Sequence, residues 1–145
     1  MDSKEATIRK SEEFDMRFLC LYRPSEKEGT PPTQEDMETM GKFVEEMMKS
    51  GKLLATEGCL PSVKGARVRL SNGRFNVVDG PFTEAKELVA GFALLQTESK
   101  EEAIELTKRF LSAAGGDGET EIRQVYDPGD PDVPCPREMQ QAVVK

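Results

Sequence analysis

Leu88-Val89-Ala90-Gly91-Phe92-Ala93-Leu94-Leu95-Gln96 is apolar at odd and even positions alike. Side chains alternate across a strand, so a strand with one wet face carries polar residues at every second position. A run without that alternation is covered on both faces and belongs in the middle of a sheet. On its C-terminal side, Ser99 with Glu102 caps a helix that carries Ala103, Ile104, Thr107, Phe110 and Leu111 at helical spacing, and Gly115-Gly116 ends it. Glu119 to Tyr126 then alternates as an edge strand does.

Reading toward the N-terminus, Asp79-Gly80-Pro81-Phe82 turns the chain sharply. Before it, Arg67–Leu70 and Phe75–Val78 flank Asn72-Gly73, a pair that tolerates positive φ at both positions and so predicts a tight hairpin. Lys52 to Gly58 reads as a strand. Thr33, with Asp36 three residues on, opens a first helix whose Met37, Met40, Val44, Met47 and Met48 form an apolar stripe, and Ser50-Gly51 stops it. Met16-Arg17-Phe18-Leu19-Cys20-Leu21-Tyr22 is a run of strand length ended by Arg23-Pro24.

The resulting order is β-α-β, a hairpin, then β-α-β. Without the hairpin this is the α+β ferredoxin-like unit, βαββαβ. Its helices cover one face of the sheet only. Since Leu88–Leu95 is apolar on both parities, the other face needs a cover, and a second copy packed face to face supplies one. A homodimer is therefore expected.

A chain of 145 residues fits one domain with its own core. Residues 1–15 hold five acids and three bases, and residues 127–145 hold four acids and two bases. Most of the net charge of −7 thus sits in two segments without apolar periodicity. They are expected to be a flexible charged tail and a Pro/Asp-rich tail, both dispensable for folding, with the domain spanning 16–126. The middle is nearly balanced in charge and offers no basic field for a phosphate backbone, so nucleic acid is not an expected partner. No run reaches membrane-spanning length and Met1–Glu5 lacks an apolar leader core, so a cytoplasmic protein is expected.

Cys20, Cys59 and Cys135 have no metal-site or redox-motif spacing, and Cys20 and Cys59 read as inert apolar positions. There is no histidine, so only scattered carboxylates could ligate a metal, and no metal or cofactor site is expected.

The chemistry gathers at the turn. Asp79 shares parity with Phe75 and Val77, and Glu84, Lys86 and Glu87 follow within a few residues. Asp79 either caps the turn by accepting backbone N–H groups, the favoured reading, or stands as a carboxylate at the mouth of a cleft. Glu84, Lys86 and Glu87 form either a structural pair network or a relay with shifted protonation. Glu57, inward by parity, is satisfied by Arg123 or Lys86, or lines the same cleft. Tyr22 closes the first strand and either offers its hydroxyl there or packs as core edge. Arg67, Arg69 and Arg74 read as a solvated hairpin face, with an anion site as the alternative. The candidate cleft is therefore Tyr22, Glu57, Asp79, Glu84, Lys86, Glu87 and Arg123.

The chain resembles YCII-related proteins of the DGPF-domain type over about residues 16–126. The resemblance rests on Leu21-Tyr22, Glu57-Gly58, Asp79-Gly80-Pro81-Phe82 with Glu84, Lys86 and Glu87, Gly91-Phe92, and Ile122-Arg123, all in matching strand order. It implies a dimeric α+β barrel. A His/Asp pair proposed as catalytic in the wider superfamily has no counterpart in a chain without histidine. Two classes of function stay open: a small-molecule-binding protein or small enzyme with an acidic cleft around the motif, and a non-catalytic interaction or regulatory module.

Overall fold

The computed structural model describes residues 15–25, 28–84 and 88–127. The two predicted tails therefore lie almost wholly outside the described residues. Among these described residues six strands and two helices follow in the order β1 (Met16–Pro24), α1 (Gln34–Lys49), β2 (Leu53–Gly58), β3 (Ala66–Ser71), β4 (Arg74–Asp79), β5 (Gly91–Thr97), α2 (Lys100–Ala114) and β6 (Gly118–Gln124), with a 3-10 turn at Ser62–Lys64. Four strands make one antiparallel sheet in the order β2-β5-β1-β6, and β3 and β4 pair separately. This is the expected α+β, ferredoxin-like arrangement with an inserted hairpin.

Local chemistry sets the helix ends. The Thr33 hydroxyl accepts the Asp36 N–H at 3.1 Å, and the Ser99 hydroxyl accepts that of Glu102 at 3.1 Å. Acids occupy both first turns, where the helix dipole favours them. At the far ends, Gly51 and Gly115 follow in left-handed conformation. In the hairpin, Asn72 (φ 51°) and Gly73 (φ 77°) take the two positive-φ positions that the turn requires.

The core lies between the helices and one face of the sheet. Phe18 and Cys20 of β1, Leu53 of β2 and Leu95 of β5 meet Met47 of α1 and Ala103 and Leu106 of α2. Burying each large side chain contributes about 1.5–3 kcal/mol. Thr107 is buried beside Cys20 and returns its hydroxyl to the Ala103 carbonyl at 2.8 Å. The methionine stripe is narrower than its spacing implies. Met47 is buried, whereas Met37 and Met48 are exposed; the contact side of α1 is carried by Phe43, Val44 and Met47. Leu106 joins the core three residues after Ala103, a position missing from the stripe read for α2.

The run that decides the fold enters regular pairing at Gly91 rather than Leu88. Ala90 still bonds to both neighbours, donating to the Tyr22 carbonyl and accepting from Cys59 N–H, each at 2.8 Å. From Gly91 onward, Ala93, Leu95 and Thr97 face the helices, while Phe92, Leu94 and Gln96 face the other side. β5 is central, between β1 and β2, as expected.

The other face of the sheet has an apolar centre and charged borders. One row across it reads Glu57, Phe92, Leu21, Glu121, and the next reads Ala55, Leu94, Leu19, Arg123. Neither helix covers this side.

Candidate functional site

The Asp79–Phe82 turn is held by contacts to the 3-10 turn, not by the aspartate that opens it. The Gly80 N–H donates to the Gly65 carbonyl at 3.0 Å, and the Phe82 N–H donates to the Ser62 hydroxyl at 2.9 Å. The same hydroxyl donates to Glu28 Oε2 at 2.7 Å, and the Ser62 N–H donates to Glu28 Oε1. Glu28 thus grips Ser62 twice and ties the loop after β1 to both turns. Charge-assisted bonds of this kind are short and strong.

These three segments border a half-open concavity of about 220 Å³. Glu28, Ser62, Arg67 and Phe82 line it, with Leu60 and Leu88 among the apolar walls. The Arg67 guanidinium stands 4.0 Å above the Phe82 ring centre, a cation–π stack that holds the planar group in a fixed orientation. The lining combines the stacked guanidinium, which has a further interaction of its own, one carboxylate engaged by serine, and apolar surface. A larger concavity of about 560 Å³ between α1 and α2 is a shallow groove whose Arg109 and Lys108 are paired with Glu46 and Glu105. Open to water over more of its surface, it is the weaker candidate.

The predicted cleft residues are dispersed. Tyr22 faces the helices and packs edge-on against Phe110 of α2, with ring centres 5.1 Å apart. Glu57 is exposed at the β2 edge, and Arg123 lies on β6 at the opposite edge. Three strand spacings separate these strands, roughly 14 Å, so of the readings left open for Glu57 the pairing with Arg123 does not form, and Lys86 lies outside the described residues. Arg123 instead donates to Glu121 at 3.1 Å, and Arg23 reaches the other oxygen of Glu121 at 3.2 Å. The Arg123 hydrogen bond, helped by the charges of both arginines, lowers the Glu121 carboxyl below its usual range.

Asp79 ends β4 on the side of Phe75 and Val77, across from Ala66. Its carboxylate is exposed and makes no hydrogen bond or ion pair among the described residues, which corrects the turn-cap expectation. Ser62 does the capping, because its hydroxyl lies under Phe82 N–H while Asp79 stays on the hairpin. Glu84 is exposed, and Lys86 and Glu87 lie outside the described residues. None of the five described candidates lines the concavity beside the turn; Phe82 of the motif does. Glu28 and Ser62 were missed because a lone acid in a Gly/Pro-rich loop and a lone serine after proline carry no spacing signal. Arg67 was legible only as part of an arginine face.

Burial raises the Cys20 thiol above its usual value, partly opposed by its contact with Thr107. Cys20 is buried and Cys59 exposed, and both are free thiols. Among the described residues no cluster of three or more cysteine or acidic side chains is placed to hold a metal ion, and no helix is long and apolar enough to cross a membrane.

Comparison with known proteins matches this architecture to a family. An uncharacterised protein of Rhizobium meliloti (strain 1021) is 35% identical over 91 residues, which cover 61% of this chain and 70% of that protein. The YCII-related domain matches residues 16–127, from the first residue of β1 to just past β6. The chain belongs to the YCII-related domain family.

Proposed function

We propose that this protein binds a small organic molecule, compact and at least partly anionic, in the concavity beside the Asp79–Phe82 turn. The observation that carries the reading is the Arg67 guanidinium stacked on Phe82 beside the Glu28–Ser62 clamp. The guanidinium attracts a carboxylate or phosphate by its charge, and the apolar walls hold the rest of the molecule. At about 220 Å³ the space lies below the ~300–1,000 Å³ usual for drug-sized ligands, which limits the occupant to a small metabolite.

Binding, rather than turnover, is the function this geometry supports best. The Ser62 hydroxyl is spent on both sides, donating to Glu28 and accepting from Phe82, which suits a structural clamp better than a nucleophile. The protein acts in the cytoplasm as a homodimer, its sheets packed through the face centred on Leu19, Leu21, Phe92 and Leu94. Two free cysteines fit a reducing compartment.

Thermal-shift screening against small carboxylates and phosphates tests the binding reading. Hits should raise the melting temperature of the wild type and leave that of Arg67→Ala unmoved. Hits that stabilise both proteins equally would remove Arg67, and with it this site.

The runner-up reading, a non-catalytic interaction module, is favoured by a separate observation: the bare apolar surface of the β3–β4 hairpin.

A further inference from the structure

Every residue of the hairpin from Ala66 to Asp79 is exposed. The register puts Val68 opposite Val77 and Leu70 opposite Phe75, so these four side chains share one face. They are 60–73% exposed, although each is of a type that folding normally buries. Together they present apolar surface on the order of 400 Å², the size of the largest patch on an ordinary monomer and often a functional one. An isolated two-stranded hairpin is marginal in water and gains stability by packing on something else. The other side of the ribbon carries Arg67, Arg69 and Arg74. Three arginines against the single Asp79 make it a basic segment in a chain of net charge −7.

We propose that this hairpin is an arm that docks on a second copy of the chain, and that docking carries Asp79 into the interface. The inference rests on the homodimer reading and adds the element that secures it. Three features favour a second copy as the occupant. The chain leaves two apolar surfaces that do not meet within one molecule: the arm and the centre of the open sheet face. A basic arm on an acidic protein is drawn to another copy of that protein more than to a basic partner. Exchange about a two-fold axis also counts the arm twice, so two arms supply about 800 Å² of the ~1,200 Å² that a stable interface needs, and the two sheet faces add to it.

Asp79 is cross-strand from Ala66 on the same side as Val77, so whatever covers Val77 approaches its carboxylate. The interface then supplies the partner that Asp79 lacks among the described residues. This makes Asp79 an intermolecular contact and leaves the concavity to Arg67 and Ser62.

Sedimentation velocity over a concentration series, on the full chain, tests the arm. The wild type should be a dimer, and V68S/L70S/F75S should dissociate at least a hundredfold more easily. Leu94→Asp, on the open sheet face, should also weaken the dimer without touching the arm. The three arm positions lie outside the core, and matching thermal melts at monomer concentrations verify that the variant folds. Amide hydrogen exchange of residues 66–79 in the wild type gives an independent reading: protection should appear in the dimer and vanish on dilution. A dimer that Leu94→Asp weakens, but whose arm variant keeps the wild-type dissociation constant and whose arm amides exchange freely, overturns the arm and leaves the sheet-face dimer standing. A wild type that stays monomeric throughout overturns both.

Discussion

The β-carbon that Gly80 lacks would fall 1.7 Å from the carbonyl oxygen of Ser62. The backbone of the Asp79–Phe82 turn therefore lies against the backbone of the 3-10 turn with no room for a side chain. Gly80→Ala must push the two turns apart and strain the Gly80–Gly65 hydrogen bond. The expected cost is about 1–3 kcal/mol, the usual range for overpacking. Urea denaturation of the two proteins measures it, and equal midpoints would contradict the contact.

Ser62→Ala and Asp79→Asn separate two ideas about what holds the turn. Removing the Ser62 hydroxyl leaves Phe82 N–H without its acceptor and frees one oxygen of Glu28, so a loss of about 1–3 kcal/mol is expected. Asp79→Asn removes a charge with no partner among the described residues and should change monomer stability by less than about 0.5 kcal/mol. The reverse order of losses would restore the aspartate cap.

The Lys52–Glu102 pair, 2.6 Å between Nζ and Oε2, predicts a pH dependence. That hydrogen bond is the main cause lowering the Glu102 carboxyl below its ordinary value of 4.5, with a smaller contribution from the Glu98 N–H. A carboxyl held lower in the folded state than in the unfolded state binds fewer protons when folded. Its stabilisation is therefore complete above the ordinary value and is lost as pH falls through the folded one. Both side chains are about one-third exposed, so solvent screening limits the effect to about 0.5–1 kcal/mol at neutral pH. The stability gap between wild type and Glu102→Gln should narrow steadily below pH 4.5. A gap that widens in acid would reverse the sign assigned to this group.

Thiol chemistry should follow burial. In the native protein a maleimide should label Cys59 within minutes and reach Cys20 only on unfolding, because Cys20 is buried and its thiol is raised. Peptide mapping after a timed pulse reads the two sites separately. Prompt native labelling of Cys20 would mean that the β1–α2 contact opens readily.

The fold was legible because its signals are local and redundant. Thr33 and Ser99 mark the helix starts, Asn72-Gly73 marks the hairpin, and the two-sided run up to Leu95 marks the central strand. Apolarity alone puts the start of β5 three residues early, since Leu88–Ala90 is as apolar as the strand it feeds. The site was less legible because it is assembled by distance. The parity that groups Glu57 with Leu53 is broken by a register shift between Leu53 and Ala55, which turns Glu57 to the face away from the helices; Arg123 shares that face, but β5 and β1 stand between them. The contacts that shape the concavity run from Glu28 to Ser62 to Phe82, across 34 and 20 residues of chain, with no periodicity to announce them.

The most direct test of the central claim is backbone-amide NMR of the labelled protein titrated with the small carboxylates and phosphates used in thermal screening. Binders should shift the amides of Ser62, Gly65, Arg67 and Phe82 first, and Arg67→Ala should abolish those shifts while keeping the rest of the spectrum. Binders whose shifts centre on the α1–α2 groove, or a panel in which no compound moves these four amides, would contradict that claim.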